Sequence, residues 1–141
     1  MKKALLFALA LIAVGCGEPA GPPMDVTITA TTTQSIAYND DTQRWECHSN
    51  LTATATGGRD GESAMWDLSE VQHRYVDGST DIWSMSLTQI QDFWGSDRIQ
   101  TGDVLTASRI NWGNQSFNIM YSFRLEMPDL SLKSIAVFVA C

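Results

Sequence analysis

The chain has 141 residues, 44% of them hydrophobic, which is enough for one domain and too few for two of usual size. Its formal net charge of −7 reflects 16 acidic against nine basic residues. This balance argues against nucleic-acid binding, which needs clustered Lys and Arg, and against adsorption to anionic lipid through a basic patch.

The N-terminus has the layout of a bacterial export signal. Two lysines precede an unbroken apolar and small-residue run over residues 4–15, and Ala13-Val14-Gly15 leads directly to Cys16. The run is too short for a membrane helix, which needs about 20 apolar residues. We therefore predict a signal peptide over residues 1–15, and a plain secretory signal remains an alternative to a lipoprotein signal.

This stretch resembles the lipobox of bacterial lipoproteins, where the cysteine becomes the lipidated first residue of the mature protein. The resemblance implies a membrane anchor of diacylglycerol and palmitate-type chains on Cys16. It implies location in the cell envelope, and Gly17 in place of an aspartate points to the outer membrane. Removal of the signal takes two basic and no acidic residues, which leaves a charge of −9.

A tether follows the cysteine. Three of the four prolines lie at positions 19, 22 and 23, interspersed with Gly17 and Gly21. Such composition favours an extended spacer over a packed element. We therefore predict that residues 16–24 are the lipidated cysteine and tether, and that residues 25–141 form one folded domain.

Two strands are predicted first. A short run alternates apolar residues with threonine from Val26 to Thr31, and a longer one alternates over residues 44–56. In the longer run Trp45, Cys47 and Leu51 share one parity. Alternation with a period of two indicates strands that bury one face and expose the other.

The middle of the chain predicts a hairpin and a helix. Apolar parity shifts within residues 64–75, which indicates a bulge near Ser69-Glu70. Asp77-Gly78 is a strong hairpin signal, and a return strand with Ile82 and Trp83 follows. Residues 88–95 have helical spacing, with Ser86 or Thr88 as a cap and Gly95 as a stop.

Three further strands complete the pattern. Residues 104–112 are a less decisive strand, residues 117–126 alternate cleanly, and residues 132–141 carry apolar residues on both parities. The last strand is therefore expected to be covered on both sides. About eight strands with a turn every 8 to 15 residues predict an all-β, antiparallel immunoglobulin-like sandwich with one short helix.

Cysteine usage predicts one disulfide. If Cys16 carries lipid, Cys47 and Cys141 remain, and an oxidising compartment favours their pairing. Two buried free thiols are the alternative. A zinc site is not expected, because there is no CxxC pair and His48 has the opposite parity to Cys47.

The outline resembles the immunoglobulin-like class, in which an inter-sheet disulfide accompanies a buried tryptophan. Cys47 on an early strand and Trp66 on the next match that outline, although Cys141 lies at the end of the chain. As a whole, the chain also resembles the small bacterial lipoproteins that carry one such domain behind a short tether. Both resemblances imply an architecture and no activity.

We find no constellation for catalysis or metal binding. The only histidines are His48 and His73, no GxSxG is present, and no cysteine is spare. Asp77, Ser79 and Asp81 alternate like calcium ligands, but the twelfth position of such a loop is Thr88. We therefore expect no enzyme, no cofactor and no metal.

The tryptophans are the remaining candidates. Trp45, Trp66 and Trp83 have core parity, whereas Trp94 and Trp112 precede glycines at the ends of elements, where exposure is favoured. Exposed tryptophan suits carbohydrate or protein recognition. The alternative is that both rings cap the ends of the sandwich.

The sequence thus favours a lipid-anchored binding or structural module that contacts an envelope protein or a surface glycan. A small envelope hydrolase and an accessory or inhibitor subunit are the alternatives.

Overall fold

The computed structural model describes residues 21–141; residues 1–20, with the proposed signal and Cys16, lie outside the described part. Eight strands and one helix form within it. Their bounds in chain order are β1 Asp25–Asn39, β2 Arg44–Thr56, β3 Ser63–Tyr75, β4 Thr80–Met85, α1 Leu87–Trp94, β5 Arg98–Gln100, β6 Val104–Gly113, β7 Phe117–Glu126 and β8 Leu132–Val139.

The strands form two antiparallel sheets. The small sheet has the order β1-β2-β6, and the large sheet has the order β4-β3-β7-β8, with β5 paired to β3. The predicted class, an all-β antiparallel immunoglobulin-like sandwich with one short helix, is thereby confirmed. No helix in residues 21–141 is long and apolar enough to cross a membrane.

The core follows the period-two patterns of the sequence. In β7 every second residue from Phe117 to Leu125 is buried, and in β2 every second residue from Cys47 to Ala55 is buried. β2 contributes small residues such as Ala53, whereas β7 contributes aromatic rings such as Tyr121 and Phe123. The bulky side chains of one sheet thus meet the small side chains of the other.

Strand direction gives the sandwich two distinct ends. The end at which β1 begins is called the proximal end, and it includes the turns at residues 57–62 and 127–131. The opposite, distal end holds the β1–β2 turn and the β3–β4 and β6–β7 turns. From Glu46 to Thr56, β2 alone spans roughly 33 Å between them.

The residues directly before β1 also pack onto the domain. Met24 is buried, and the carbonyl oxygen of Pro22 accepts a hydrogen bond from the amide of Gly58 at 2.8 Å. Gly57 has a φ of 65°, and a Cβ there would lie 2.4 Å from the carbonyl oxygen of Pro23. Because glycine allows this close approach, the second half of the predicted tether packs onto the domain.

The predicted irregularities in the middle of the chain are largely present. The register between β3 and β7 shifts between Trp66 and Leu68, two to three residues before the expected bulge. Gly78 has a φ of 86° in the β3–β4 hairpin turn, as the Asp77-Gly78 signal predicted.

Two predictions of burial are wrong, both at the edges of the large sheet. Trp83 on β4 is 41% exposed, because β4 is an edge strand of the large sheet and the opposing sheet has only three strands. Phe138 and Leu132 on β8 are also exposed. β8 is therefore covered on one side only.

Helix α1 has the predicted ends. Ser86 is the N-cap and forms a capping box with Gln89, and Gly95 ends the helix at a φ of 73°. Ile90, Phe93 and Trp94 are the buried residues of this helix. The helix contacts β3, β4 and β6, and thus crosses between the edges of the two sheets.

The two remaining cysteines form the predicted disulfide. Cys47 on β2 is fully buried and bonds to Cys141 after β8, with the Cα atoms 5.7 Å apart. The bond therefore joins the two sheets. Backbone contacts hold the same corner, because the amide of Ile36 donates to the carbonyl oxygen of Cys141 and the amide of Cys141 donates to Asn118 Oδ1.

Candidate functional site

Trp94 is not an exposed binding residue, contrary to the sequence expectation. Its side chain is buried, and its ring stacks on that of Trp66 with centroids 5.1 Å apart. The apolar face of α1 turns Trp94 towards Phe123 and the rest of the core. The glycine after Trp94 ends the helix without exposing the ring.

Trp112 is exposed, as predicted. The side chain is 49% exposed at the distal end of β6, two residues from exposed Ile110 on the same face. Its indole Nε1 donates a hydrogen bond to Glu46 Oε1 at 3.1 Å. Glu46 and Trp112 are cross-strand partners, which places both on the outer face of the small sheet.

Glu46 is the centre of a polar cluster. Its Oε1 atom accepts hydrogen bonds from Asn39 Nδ2 at 2.9 Å and from Thr42 Oγ1 at 3.2 Å, in addition to the indole bond. Its Oε2 atom lies 3.3 Å from His48 Nε2. We call these five residues, Asn39, Thr42, Glu46, His48 and Trp112, the Glu46 cluster.

The cluster keeps its carboxylate ionised. Partial burial acts to raise the pKa of Glu46, but the hydrogen bonds from Asn39, His48, Trp112 and Thr42 outweigh it and lower the pKa below its ordinary value. A fixed negative charge therefore lies beside an exposed indole ring.

The β1–β2 turn fixes the cluster in place. Asn39 Oδ1 accepts from the amides of Asp41 at 2.9 Å and Thr42 at 3.2 Å. The side-chain oxygen of Asn39 thus accepts hydrogen bonds from the turn, and its side-chain nitrogen donates one to Glu46. The turn is closed by Gln43 at a φ of 53°. This bonding pre-organises the site, which limits the entropy lost on binding.

The outer face of the small sheet carries hydroxyl groups away from the cluster, towards the proximal end. Alternate positions of all three strands face outwards, and the strand pairing sets Thr29 beside Thr52 and Thr52 beside Thr106, roughly 20 Å along β2 from Glu46. A polar sheet face that ends at an exposed indole ring suits an extended ligand that combines hydroxyl groups with an apolar ring face.

The chemistry of the cluster differs from that of a hydrolase triad. Here the carboxylate of Glu46 lies between a hydroxyl group, on Thr42, and an imidazole, on His48. In a triad the imidazole lies between the hydroxyl group and the carboxylate, so that it can accept the proton of the nucleophile.

Asp77, one of the alternating acidic residues of the β3–β4 turn, accepts hydrogen bonds that stabilise this turn. Asp77 Oδ1 accepts from the amide of Ser79 at 2.9 Å, and Oδ2 accepts from Gln115 Nε2 at 3.0 Å. Hydrogen bonds from Ser79 and Gln115 lower the pKa of Asp77. Among residues 21–141 no group of three or more His, Cys, Asp or Glu side chains could hold a metal ion.

His73 lies in a buried aromatic setting. Its ring stacks on Phe117 at 4.2 Å and meets Trp83 edge-on at 4.6 Å, and Nε2 lies 3.5 Å from Asn111 Oδ1. Burial lowers the pKa of His73, so the imidazole is held neutral. Asn111 in turn donates to the hydroxyl of Tyr121 at 2.7 Å.

The sequence did not predict the Glu46 cluster as a whole. Glu46 and His48 share a strand face, which is readable from parity, but their link to Trp112 spans 66 residues. It depends on the register between β2 and β6, which no local pattern encodes.

A cleft of about 470 Å³ opens at the proximal end. Its walls include Pro22, Pro23, Arg59, Glu62 and Pro128. The beginning of the described chain and the β7–β8 turn therefore meet at this cleft.

Comparison with known proteins supports the fold class. No family model matches the chain, and no curated protein sequence matches it. Among solved structures, the sandwich is similar to a crystal structure assigned to the ApaA protein from Bordetella pertussis, with a TM-score of 0.60 and 9% identity over 84% of this chain and 94% of that one.

A second similar structure is the structural genomics target SoR45, with a TM-score of 0.53 and 6% identity over 83% of this chain and 81% of that one. At such low identity these similarities establish the antiparallel β fold and nothing about activity.

Proposed function

We propose that the protein is a lipid-anchored binding module of the bacterial cell envelope, acylated at Cys16 and placed in the outer membrane. Its ligand-binding surface is the Glu46 cluster together with Ile110. The ligand class that fits this surface best is a surface glycan, and an envelope protein is the alternative.

One observation carries the proposal: the exposed indole ring of Trp112 is hydrogen-bonded to the carboxylate of Glu46, which the β1–β2 turn fixes in place. The face of an indole stacks on an apolar ring face, while the carboxylate and amide bind hydroxyl groups. The charge of Glu46 disfavours anionic ligands, which indicates a neutral or basic glycan.

The position of the cluster also supports this role. It lies at the distal end, whereas the tether joins the domain at the proximal end, roughly 33 Å away along β2. A module anchored in this way presents Trp112 away from the membrane.

Binding to immobilised envelope polysaccharides tests the ligand class. Trp112→Ala should weaken binding at least 30-fold, corresponding to about 2 kcal/mol for a central aromatic contact. Phe138→Ala is the matched control, because it removes a comparably exposed ring from β8. If both variants bind like the wild type, the Glu46 cluster is not the binding surface.

A photo-crosslinking residue at position 112 separates the two ligand classes in the native envelope. A crosslinked product that is removed by protease treatment of the partner indicates an envelope protein. A product that resists protease and carries sugar indicates the glycan.

The anchor has a separate test. Globomycin should cause the unprocessed form to accumulate, and mass spectrometry should find acyl chains on Cys16 of the mature protein. A Cys16→Ser protein that stays in the membrane would refute lipidation at this residue.

A further inference from the structure

The turn between β7 and β8, residues 127–131, lies beside the point where the described chain begins. Pro128 and Asp129 line the same cleft as Pro22 and Pro23. The first residues of β1 and β8 are also adjacent, because Lys133 forms an ion pair with Asp25. Anything attached close to Pro22 is therefore close to this turn.

Leu130 is the exposed residue of that turn, and its backbone is unusual. Its side chain is 77% exposed, and its φ is 66°. The left-handed region favours glycine or asparagine in a turn, and a bulky side chain there is a genuine outlier. Leucine is disfavoured in this backbone conformation, and such strained positions are typical of functional sites.

The turn holds this leucine rigidly. The amide of Leu130 donates to the carbonyl oxygen of Met127, and the amide of Met127 donates to the carbonyl oxygen of Ser131, both at 2.8 Å. Asp129 Oδ1 accepts from the amide of Ser131 at 3.0 Å. Two residues further on, Leu132 is also exposed. The proximal end thus presents two leucines on a fixed backbone.

We infer that this turn is a second membrane contact, in which Leu130 enters the boundary between the headgroups and acyl chains of a phospholipid surface. The inference rests on the proposed acylation of Cys16. Five residue steps separate Cys16 from Gly21, a reach of at most about 18 Å when fully extended. The lipid surface must therefore lie close to the proximal end.

Charge defines the kind of lipid. Asp129 lies within the turn and Glu126 directly precedes it. Arg59 and Glu62 lie next to each other in the adjoining cleft, and the nearby Lys133 is paired with Asp25. A surface with these carboxylates avoids anionic headgroups and suits zwitterionic ones such as phosphatidylethanolamine. The contact fixes the orientation of the domain, so that the Glu46 cluster at the opposite end faces away from the membrane.

The experiment places an environment-sensitive fluorophore on Leu130→Cys in the full acylated protein, reconstituted in phosphatidylethanolamine-rich vesicles. With Cys16 acylated and Cys47 bonded to Cys141, the new thiol is the only free one. Val76→Cys is the matched control, because Val76 is also 77% exposed but lies in the distal β3–β4 turn. Both substitutions lie on exposed turns and leave the core intact.

We expect the label at position 130 to emit at shorter wavelength and to be quenched several-fold more by doxyl-labelled lipids than the label at position 76. Equal quenching at both positions in a protein whose acyl mass is confirmed overturns this inference and leaves the anchor standing. A blue shift that doxyl lipids do not quench indicates a second copy or a partner protein, and also overturns it. A mature protein without acyl mass overturns both proposals.

Discussion

Reduction of the Cys47–Cys141 disulfide should cost the domain much of its stability. The bond closes a loop with a sequence separation of 94, and the chain-entropy model assigns about 4.7 kcal/mol to a loop of this length at 25 °C. Typical domains are stable by about 5–15 kcal/mol. The reduced protein should therefore unfold at a much lower urea concentration than the oxidised protein.

Two comparisons separate the crosslink from the packing. Urea unfolding of the wild type with and without reductant isolates the crosslink, because both side chains are kept. The Cys47→Ala/Cys141→Ala variant, compared with the reduced wild type, then measures the packing of the two sulfur atoms at fully buried Cys47 and partly buried Cys141. A loss below about 1 kcal/mol on reduction would refute the loop-closure reasoning.

Hydrogen exchange reports on the same corner of the sandwich. The amide of Ile36 donates to the carbonyl oxygen of Cys141, so it should exchange faster after reduction if the last residues detach from β1. An unchanged exchange rate together with a large loss of stability would show that the disulfide stabilises the domain only by restricting the unfolded chain.

Three further predictions concern single residues. Burial lowers the pKa of His73 below the value of about 6.5 in the unfolded chain. The unfolded state thus binds more protons, and the free energy of unfolding should decrease as the pH falls below about 6.5. Urea titrations across this pH range measure the dependence. His73→Phe should reduce the slope of the free energy of unfolding against pH by at most about 1.4 kcal/mol per pH unit. Gly57→Ala should destabilise the domain by at least about 1 kcal/mol more than Gly78→Ala. Both positions have a positive φ, but only at Gly57 would the new Cβ meet a backbone oxygen, at 2.4 Å. Equal losses of stability in the two variants would contradict this close contact. Leu130→Asn should raise the free energy of unfolding by about 1 kcal/mol, because asparagine tolerates the left-handed region. An unchanged or lower urea midpoint would show that the backbone at this turn is not strained.

The strands that the sequence predicted best are those with one buried face. β2 and β7 alternate in sequence and in the structure, since each packs one face on the core. The ends of α1 were also predictable, because the Ser86 cap and the Gly95 stop are local features. Such elements need no knowledge of their neighbours.

Features that depend on neighbours were predicted poorly. Trp94 and Trp112 each precede a glycine, yet one ring is buried and the other half exposed. The difference arises because α1 turns Trp94 towards the core, whereas alternation in β6 turns Trp112 outwards. Likewise, the exposure of Trp83 follows from the position of β4 at the edge of its sheet, which parity alone does not reveal.

Strand direction links the two proposed surfaces. β1 runs from the proximal to the distal end and β2 returns, so the turn that fixes Glu46 must lie at the end opposite to Pro22. The β7–β8 turn lies at the proximal end for the same reason, because β7 runs antiparallel to β3. The topology that buries the core therefore also separates Trp112 from Leu130 by the length of the sandwich. A ligand at one end and a lipid surface at the other can consequently be bound at the same time, without competition for the same residues.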